Sequence, residues 1–375
     1  MAEIRVENLH KSFGAFTAVR DSTFTVADGS FFCLLGPSGC GKTTTLRMIA
    51  GLELPTAGRI LLGGADVTDK RASARDIAFV FQLFALYPHM NVRRNIAYPL
   101  VSTGVKRVEV DARVEEVGRI LRIGDLLDRP ISGLSGGDRQ RVALGRAIVR
   151  RPLAFLMDEP LGALDAEFRH LMCTELRMLH DRIKATTVYV THDQMEAMAL
   201  ADVIAVMNGG VVEQLDTPRN IYARPATVFV ASFIGSPAMN LLPCHDSVQP
   251  GRQRLRLGDA EVAIPDPREA LDARGLVLGV RPEHVRLSDA AALRGEVFGT
   301  EYLGSTQIVT VATGHGNVRA RLPAAARVEA GDLVGLTFVA DKLSLFDAAT
   351  GRAVRTALHD PAPAPASLAV EAAHG

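Results

Sequence analysis

Gly36-Pro37-Ser38-Gly39-Cys40-Gly41-Lys42-Thr43 is the stretch on which the reading of this chain turns. It has the spacing G-x-x-x-x-G-K-[ST] of a phosphate-binding loop. Three glycines let the backbone curl with its N–H groups turned inward, a concave anion site that side chains would obstruct. Lys42 can reach the outer phosphates of a nucleotide, and the Thr43 hydroxyl can ligate Mg²⁺. The flanks agree. Ser30-Phe31-Phe32-Cys33-Leu34-Leu35 is a short apolar run, as a buried strand requires. Thr44-Thr45-Leu46-Arg47-Met48-Ile49-Ala50 reads as a helix closing at Gly51, with its N-terminal dipole toward the phosphates. A strand, a glycine loop and a helix in that order assign nucleotide binding to Gly36, Pro37, Ser38, Gly39, Cys40, Gly41, Lys42, Thr43 and Thr44.

Working outward, 375 residues give room for two or three domains. Lysine plus arginine and aspartate plus glutamate both number 42, so the formal charge is zero. A nucleic-acid binder ordinarily carries a basic excess, so nucleic acid is not an expected partner. Cys33, Cys40, Cys173 and Cys244 have no C-x-x-C spacing, which fits a reducing compartment and neither a disulfide framework nor a zinc site. Cys40, inside the loop, reads as a small tolerated residue. Met1–Glu7 has early acids and no apolar core of a secretory signal. No uncharged apolar stretch approaches the ~20 residues that span a bilayer. The chain is expected to be soluble and to reach a membrane only by docking on a partner.

Further strands are expected at 77–82, 153–157, 187–191 and 203–207, and helices at 106–123, 137–150, 165–183 and 193–201. Strands alternating with helices predict an α/β fold with a parallel core covered on both faces. Near 235–243 the character changes. Short β-rich runs follow, among them 277–280, 296–298 and 307–311, punctuated by turns such as Gly258-Asp259. They predict a small all-β domain or a pair of them. The Pro-Ala-Pro-Ala-Pro segment from Pro361 reads as a disordered tail.

Leu156-Met157-Asp158-Glu159 is an apolar strand ending in two acids. Asp158 is placed to support Mg²⁺, which leaves Glu159 free to polarise an attacking water. Ser135-Gly136-Gly137 opens a helix between the two motifs, a second anion-binding end on one chain. One phosphate loop does not need two such ends, so the spare end suggests that the chain completes another molecule's site. His192, after the fourth strand, can contact the terminal phosphate. Gln82, at another strand end, can ligate Mg²⁺ or the water. Each of these alone is weak, since a helix cap, a strand end or a structural histidine would look the same.

Taken in order, Gly36–Thr43, Gln82, Leu134–Asp138, Asp158-Glu159, Leu161–Asp165 and His192 resemble the Walker A, Q-loop, signature, Walker B, D-loop and H-loop of the ATP-binding cassette family. Phe13 matches the aromatic that stacks on adenine there. The resemblance implies ATP and Mg²⁺ as cofactors. Glu159 and His192 would be catalytic, and Thr43, Gln82 and Asp158 would hold the metal. Ser135, Gly136 and Gly137 would act on a second copy's ATP in a head-to-tail homodimer. Phe84–Met90, Phe233–Asn240 and Gly279–His284 resemble ATPase subunits of bacterial carbohydrate importers, over nearly residues 1–355.

That resemblance implies a P-loop NTPase cassette at 1–235, with a parallel-sheet core, an antiparallel β subdomain and a helical subdomain at about 84–150. An OB-like regulatory domain at 236–355 and a tail at 356–375 would follow. Implied partners are integral-membrane permease subunits, indirectly a periplasmic or extracellular solute-binding protein, and a regulatory protein at the C-terminal domain. The implied place is the cytoplasmic face of the inner membrane, peripherally. Importers of polyamines, iron or sulfate share the cassette and are the alternative. The chain departs from the family at Asp138, where glutamine is usual, and at Gly162, where serine is common. Phe13 lacks the polar group of the commoner aromatics, although stacking needs only the ring face.

Overall fold

A computed structural model describes residues 2–81, 85–162, 164–271 and 275–360. Gln82, Phe84 and the segment from Pro361, each named above, lie outside the described residues. Two compact units divide between Arg219 and Asn220.

The first unit begins with an antiparallel sheet. Strands β1 (Ile4–Phe13), β2 (Phe16–Val26), β4 (Ala57–Leu62) and β5 (Ala65–Asp66) lie in the order β2-β1-β4-β5. A second sheet holds β3 (Phe31–Leu35), β6 (Ile77–Val80), β7 (Ala154–Asp158), β8 (Thr186–Thr191), β9 (Val203–Asn208) and β10 (Val211–Asp216). Its order is β10-β9-β3-β8-β7-β6, parallel from β9 to β6, with β10 antiparallel at the edge. Every residue of β3 and β8 is buried, which is why both read as unbroken apolar or β-branched runs. The strand expected to reach residue 82 ends at Val80.

The helices of this unit are α1 (Lys42–Ala50), α2 (Val92–Val101), α3 (Arg107–Ile120), α4 (Gly136–Ile148), α5 (Ala166–Ile183) and α6 (Gln194–Leu200). Helices α2, α3 and α4 pack on one another and form the helical part of the unit. In α3, Val110, Val114 and Val117 are buried at helical spacing, while the exposed side carries the Glu109–Arg113 pair at 2.6 Å.

The crossing order places the carboxyl ends of β3, β8, β7 and β6 side by side. Leu35 pairs with Thr191, Asp158 with Val190 and Val80 with Met157. Segments 36–41, 192–193 and 159–162 all leave from that edge, where open α/β sheets bind ligands.

The second unit carries α7 (Pro218–Ala223), which starts just before the boundary, and α8 (Val228–Phe233). Its strands are β11 (Asn240–Cys244), β12 (Arg254–Leu257), β13 (Ala260–Ala263), β14 (Leu276–Val280), β15 (Val285–Leu287), β16 (Leu293–Tyr302), β17 (Thr306–Thr313), β18 (Gly316–Pro323), β19 (Leu333–Phe338) and β20 (Ser344–Asp347). They form antiparallel sheets ordered β11-β14-β20, β12-β13 and β15-β19-β16-β17-β18 around one apolar core.

The compact unit takes in α7 and α8, which precede the domain start expected at 236, because Arg281 fastens these helices to the β-structure. Its guanidinium donates to the Tyr222 carbonyl at 2.8 Å and to the Ile234 carbonyl, and lies 4.1 Å from the Tyr222 ring centre. The chain also stays packed beyond residue 355. Thr356 is buried and caps a short turn with His359.

Candidate nucleotide site

The phosphate loop is set between the two sheets of the first unit. Gly41 adopts φ +101°, and a Cβ there would stand 2.4 Å from the Ala18 carbonyl of β2. Only glycine meets both conditions. Gly41→Ala is therefore expected to distort the loop at a cost of about 1–3 kcal/mol. Titration with a fluorescent ATP analogue should show roughly tenfold weaker binding, and unchanged affinity would contradict this.

Lys42 is buried, and its Nζ donates to the carbonyls of Gly36 (2.8 Å) and Pro37 (2.9 Å). The ammonium is thus held inside the curl of the loop. Ser38 and Gly39 are exposed at the tip, while Gly36 and Cys40 are buried and Pro37 partly so. Burial pushes the Cys40 thiol up, against the pull of Lys42. It behaves as a filler, as its size suggested. Thr44, on the first turn of α1, is half-buried.

Thr43 Oγ1 donates to Asp158 Oδ1 at 2.9 Å, so the loop and the acid at the end of β7 meet. Burial raises the Asp158 carboxyl above its ordinary range, and the Thr43 bond opposes that rise. A half-buried carboxylate beside a hydroxyl is a hard-oxygen pair suited to Mg²⁺. Among the described residues no group of three or more His, Cys, Asp or Glu could hold a metal by itself. A cation at Thr43 and Asp158 would therefore be shared with phosphate oxygens, as Mg²⁺ commonly is.

Glu159 has φ +44°, an unusual backbone state for a non-glycine residue. Its N–H bonds the Val190 carbonyl at 3.0 Å, and its Oε1 lies 3.2 Å from His192 Nδ1. Glu159 and His192 are thereby joined across the ends of β7 and β8. Phe13 is exposed at the end of the β1–β2 hairpin, with Lys11 Nζ 4.7 Å from its ring centre. Phe16, its exposed cross-strand neighbour, is a second aromatic on this tip that the motif comparison passed over.

Ser135, Gly136 and Gly137 form a separate cluster. Ser135 caps α4 and, like Gly136, is exposed. A Cβ on Gly137 would lie 1.9 Å from the Phe168 ring, and one on Gly136 would be 3.8 Å from Leu164. The turn thus packs on the segment that follows Glu159. Among the described residues, no hydrogen bond or ion pair ties these three to the phosphate loop.

The structure adds two linkers that single-sequence patterns did not reveal. Arg169 donates to Asp193 (2.8 Å) and to the Leu164 carbonyl (2.8 Å), joining the segments that follow Asp158 and His192. Asn95 is fully buried and bonds Tyr87 N (2.9 Å), Tyr87 O (3.1 Å) and Met90 O (3.2 Å), which fixes the loop after residue 85 on α2. Spacing could not flag either, because both partners are distant or in the backbone.

Comparison with known proteins bears on this arrangement. The ABC transporter family profile matches residues 19–162, the MalK OB fold domain 235–285 and the TOBE domain 278–346. The chain is 46% identical to the sn-glycerol-3-phosphate import ATP-binding protein UgpC of Cereibacter sphaeroides, covering 94% of this chain and 99% of that one. It is also 46% identical to the trehalose/maltose import ATP-binding protein MalK of Thermococcus litoralis, over 94% and 100%. Identity to the trehalose import ATP-binding protein SugC of Mycobacterium tuberculosis is 45%, over 94% and 98%. Among solved structures, cbiO1 of Clostridium perfringens, part of the ABC transporter complex cbiONQ, superposes with a TM-score of 0.56 at 25% identity, covering 59% of this chain and 90% of that one.

The chain belongs to the ATP-binding subunits of ABC transporters. It is an ATP-hydrolysing subunit of that family, whose members work with membrane permeases. Among the described residues no helix is long and apolar enough to cross a membrane.

Proposed function

We propose that two copies of this chain close head to tail on two ATP–Mg²⁺ and energise import of a sugar or sugar derivative. The observation that carries the reading is the division of the site. Lys42, Thr43, Asp158, Glu159 and His192 are linked at one sheet edge, while Ser135 and Gly136 are exposed and, among the described residues, not bonded to the phosphate loop. Two-fold pairing would give each ATP both sets and two equivalent sites.

In this reading the loop amides and Lys42 bind the phosphates, and Phe13 stacks on adenine. Thr43 and Asp158 hold Mg²⁺, with Gln82 as a further ligand; the ion supplies charge neutralisation on the phosphates. Glu159 orients a water and takes its proton. His192 donates to the γ-phosphate and keeps the Glu159 carboxylate aimed. Catalysis is then positioning and electrostatic stabilisation. ATP touches both chains only when they are closed, so it favours closure by differential affinity. The loop fixed by Asn95 would carry the motion to permease subunits at the cytoplasmic face of the inner membrane. The names of the relatives support a sugar or glycerol-phosphate cargo.

Ser135→Arg tests the division. It is expected to abolish Mg²⁺-dependent phosphate release while leaving ATP affinity of the separate chain unchanged, measured by nucleotide titration at low protein concentration. Equal loss of ATP binding would place Ser135 in its own chain's site and defeat the reading.

A further inference from the structure

The signature turn differs from the family pattern at one residue, and the structure gives that residue a specific contact. Ser135 Oγ donates to Asp138 Oδ2 at 2.7 Å, while Asp138 N donates to Ser135 Oγ at 3.2 Å. The serine has one proton, and Asp138 holds it. A hydrogen bond from a hydroxyl to a carboxylate is short and roughly twice as strong as a neutral one.

A phosphate oxygen can only accept. For Ser135 to serve a phosphate, its proton must leave Asp138 and swing outward, while the carboxylate remains beside the approaching anion. The nearest compensating cation is Arg141, whose Nη1 lies 3.8 Å from Asp138 Oδ1. Arg139 is turned away, with Nε on the Leu134 carbonyl at 3.1 Å. The Asp138 carboxylate is therefore offset by one ion pair, long at 3.8 Å, between two partly buried side chains.

We infer that Asp138 is a positioning residue that withholds the Ser135 hydroxyl and raises the ATP concentration at which the paired site closes. This rests on the two-copy reading above. The turn exchanges helix capping for nucleotide grip. In the open chain Asp138 lies in the first turn of α4, where a carboxylate stabilises the helix N-terminus. In the closed pair the same charge opposes the phosphate. The subunit should accordingly demand more ATP than a chain with a neutral residue at this position.

The test uses the full chain in the Glu159→Gln background and reads ATP retained through rapid gel filtration against ATP concentration. Asp138→Asn removes the charge and keeps the shape. It is expected to lower the half-saturating ATP concentration about three- to tenfold, with Asp138→Glu remaining near the parent value. Asp138→Asn should also lower the thermal midpoint, since capping weakens. A lowered midpoint with an unchanged or raised half-saturation would make Asp138 a cap only and overturn the inference. Failure of the Glu159→Gln parent itself to retain ATP at any concentration would instead bring down the two-copy reading, and the inference with it.

Discussion

Glu159→Gln is expected to lower ATP turnover by about 10²–10⁴-fold while leaving ATP bound, the range that a positioned general base commonly contributes. The substitution keeps the size of the side chain and removes the basic oxygen. The backbone around it is fixed from outside the residue: its N–H is tied to Val190 at 3.0 Å, and φ stays at +44°. The amide side chain should therefore occupy the place of the carboxylate and still meet His192. Phosphate release and nucleotide retention separate the two effects, and turnover near the wild-type rate would remove Glu159 from the role of base. Asp158→Asn is expected to give a different pattern, because it removes a carboxylate from the pair with Thr43 proposed to hold Mg²⁺.

Arg281→Ala is expected to destabilise the second unit by about 2–4 kcal/mol, since hydrogen bonds to a charged donor contribute about 1.5–3 kcal/mol each. The side chain is 2% exposed and holds two carbonyls of the preceding helices. Burial lowers its own tendency to stay charged, which reduces the net gain below the sum of its contacts. It also lies over the Tyr222 ring, whose hydroxyl donates to Glu283 at 2.6 Å. Burial, with that bond to Glu283, pushes the Tyr222 phenol up to about 12. Lysine should not rescue the loss, because one ammonium cannot reproduce a planar fork that bonds two carbonyls and stacks on a ring. Thermal unfolding of the two variants beside wild type measures this. An unchanged transition in Arg281→Ala would contradict it, as would full rescue by lysine.

Arg281 also marks the limit of what sequence could say. The stretch around it stood out as a pattern, but nothing in Gly279–His284 indicates that its arginine reaches back nearly sixty residues to Tyr222. The compact unit accordingly starts at Asn220, whereas the MalK OB fold match starts at residue 235. By contrast, the parallel core was legible because β3, β7 and β8 are short apolar or β-branched runs alternating with helical stretches. The phosphate loop was legible because its glycines answer a local backbone demand, as at Gly41.

Helix α2 was missed. Pro99 lies inside it and interrupts the helical reading, and its place comes from packing on α3 and α4. Strands β1 and β2 are hard to read from sequence, since their bulged pairing interrupts the two-residue alternation. For the site, the residue types were legible but their contacts were not. The Thr43–Asp158 bond, the Glu159–His192 pair and the Ser135–Asp138 bond each need side-chain geometry. Arg169, which joins two of these segments, belongs to no motif at all.

The most direct test is the mass of Glu159→Gln by light scattering in ATP and Mg²⁺. Two chains of 40.2 kDa per particle, with two ATP retained, are expected from the head-to-tail pair. A particle of one chain that nonetheless holds ATP and Mg²⁺ would contradict it.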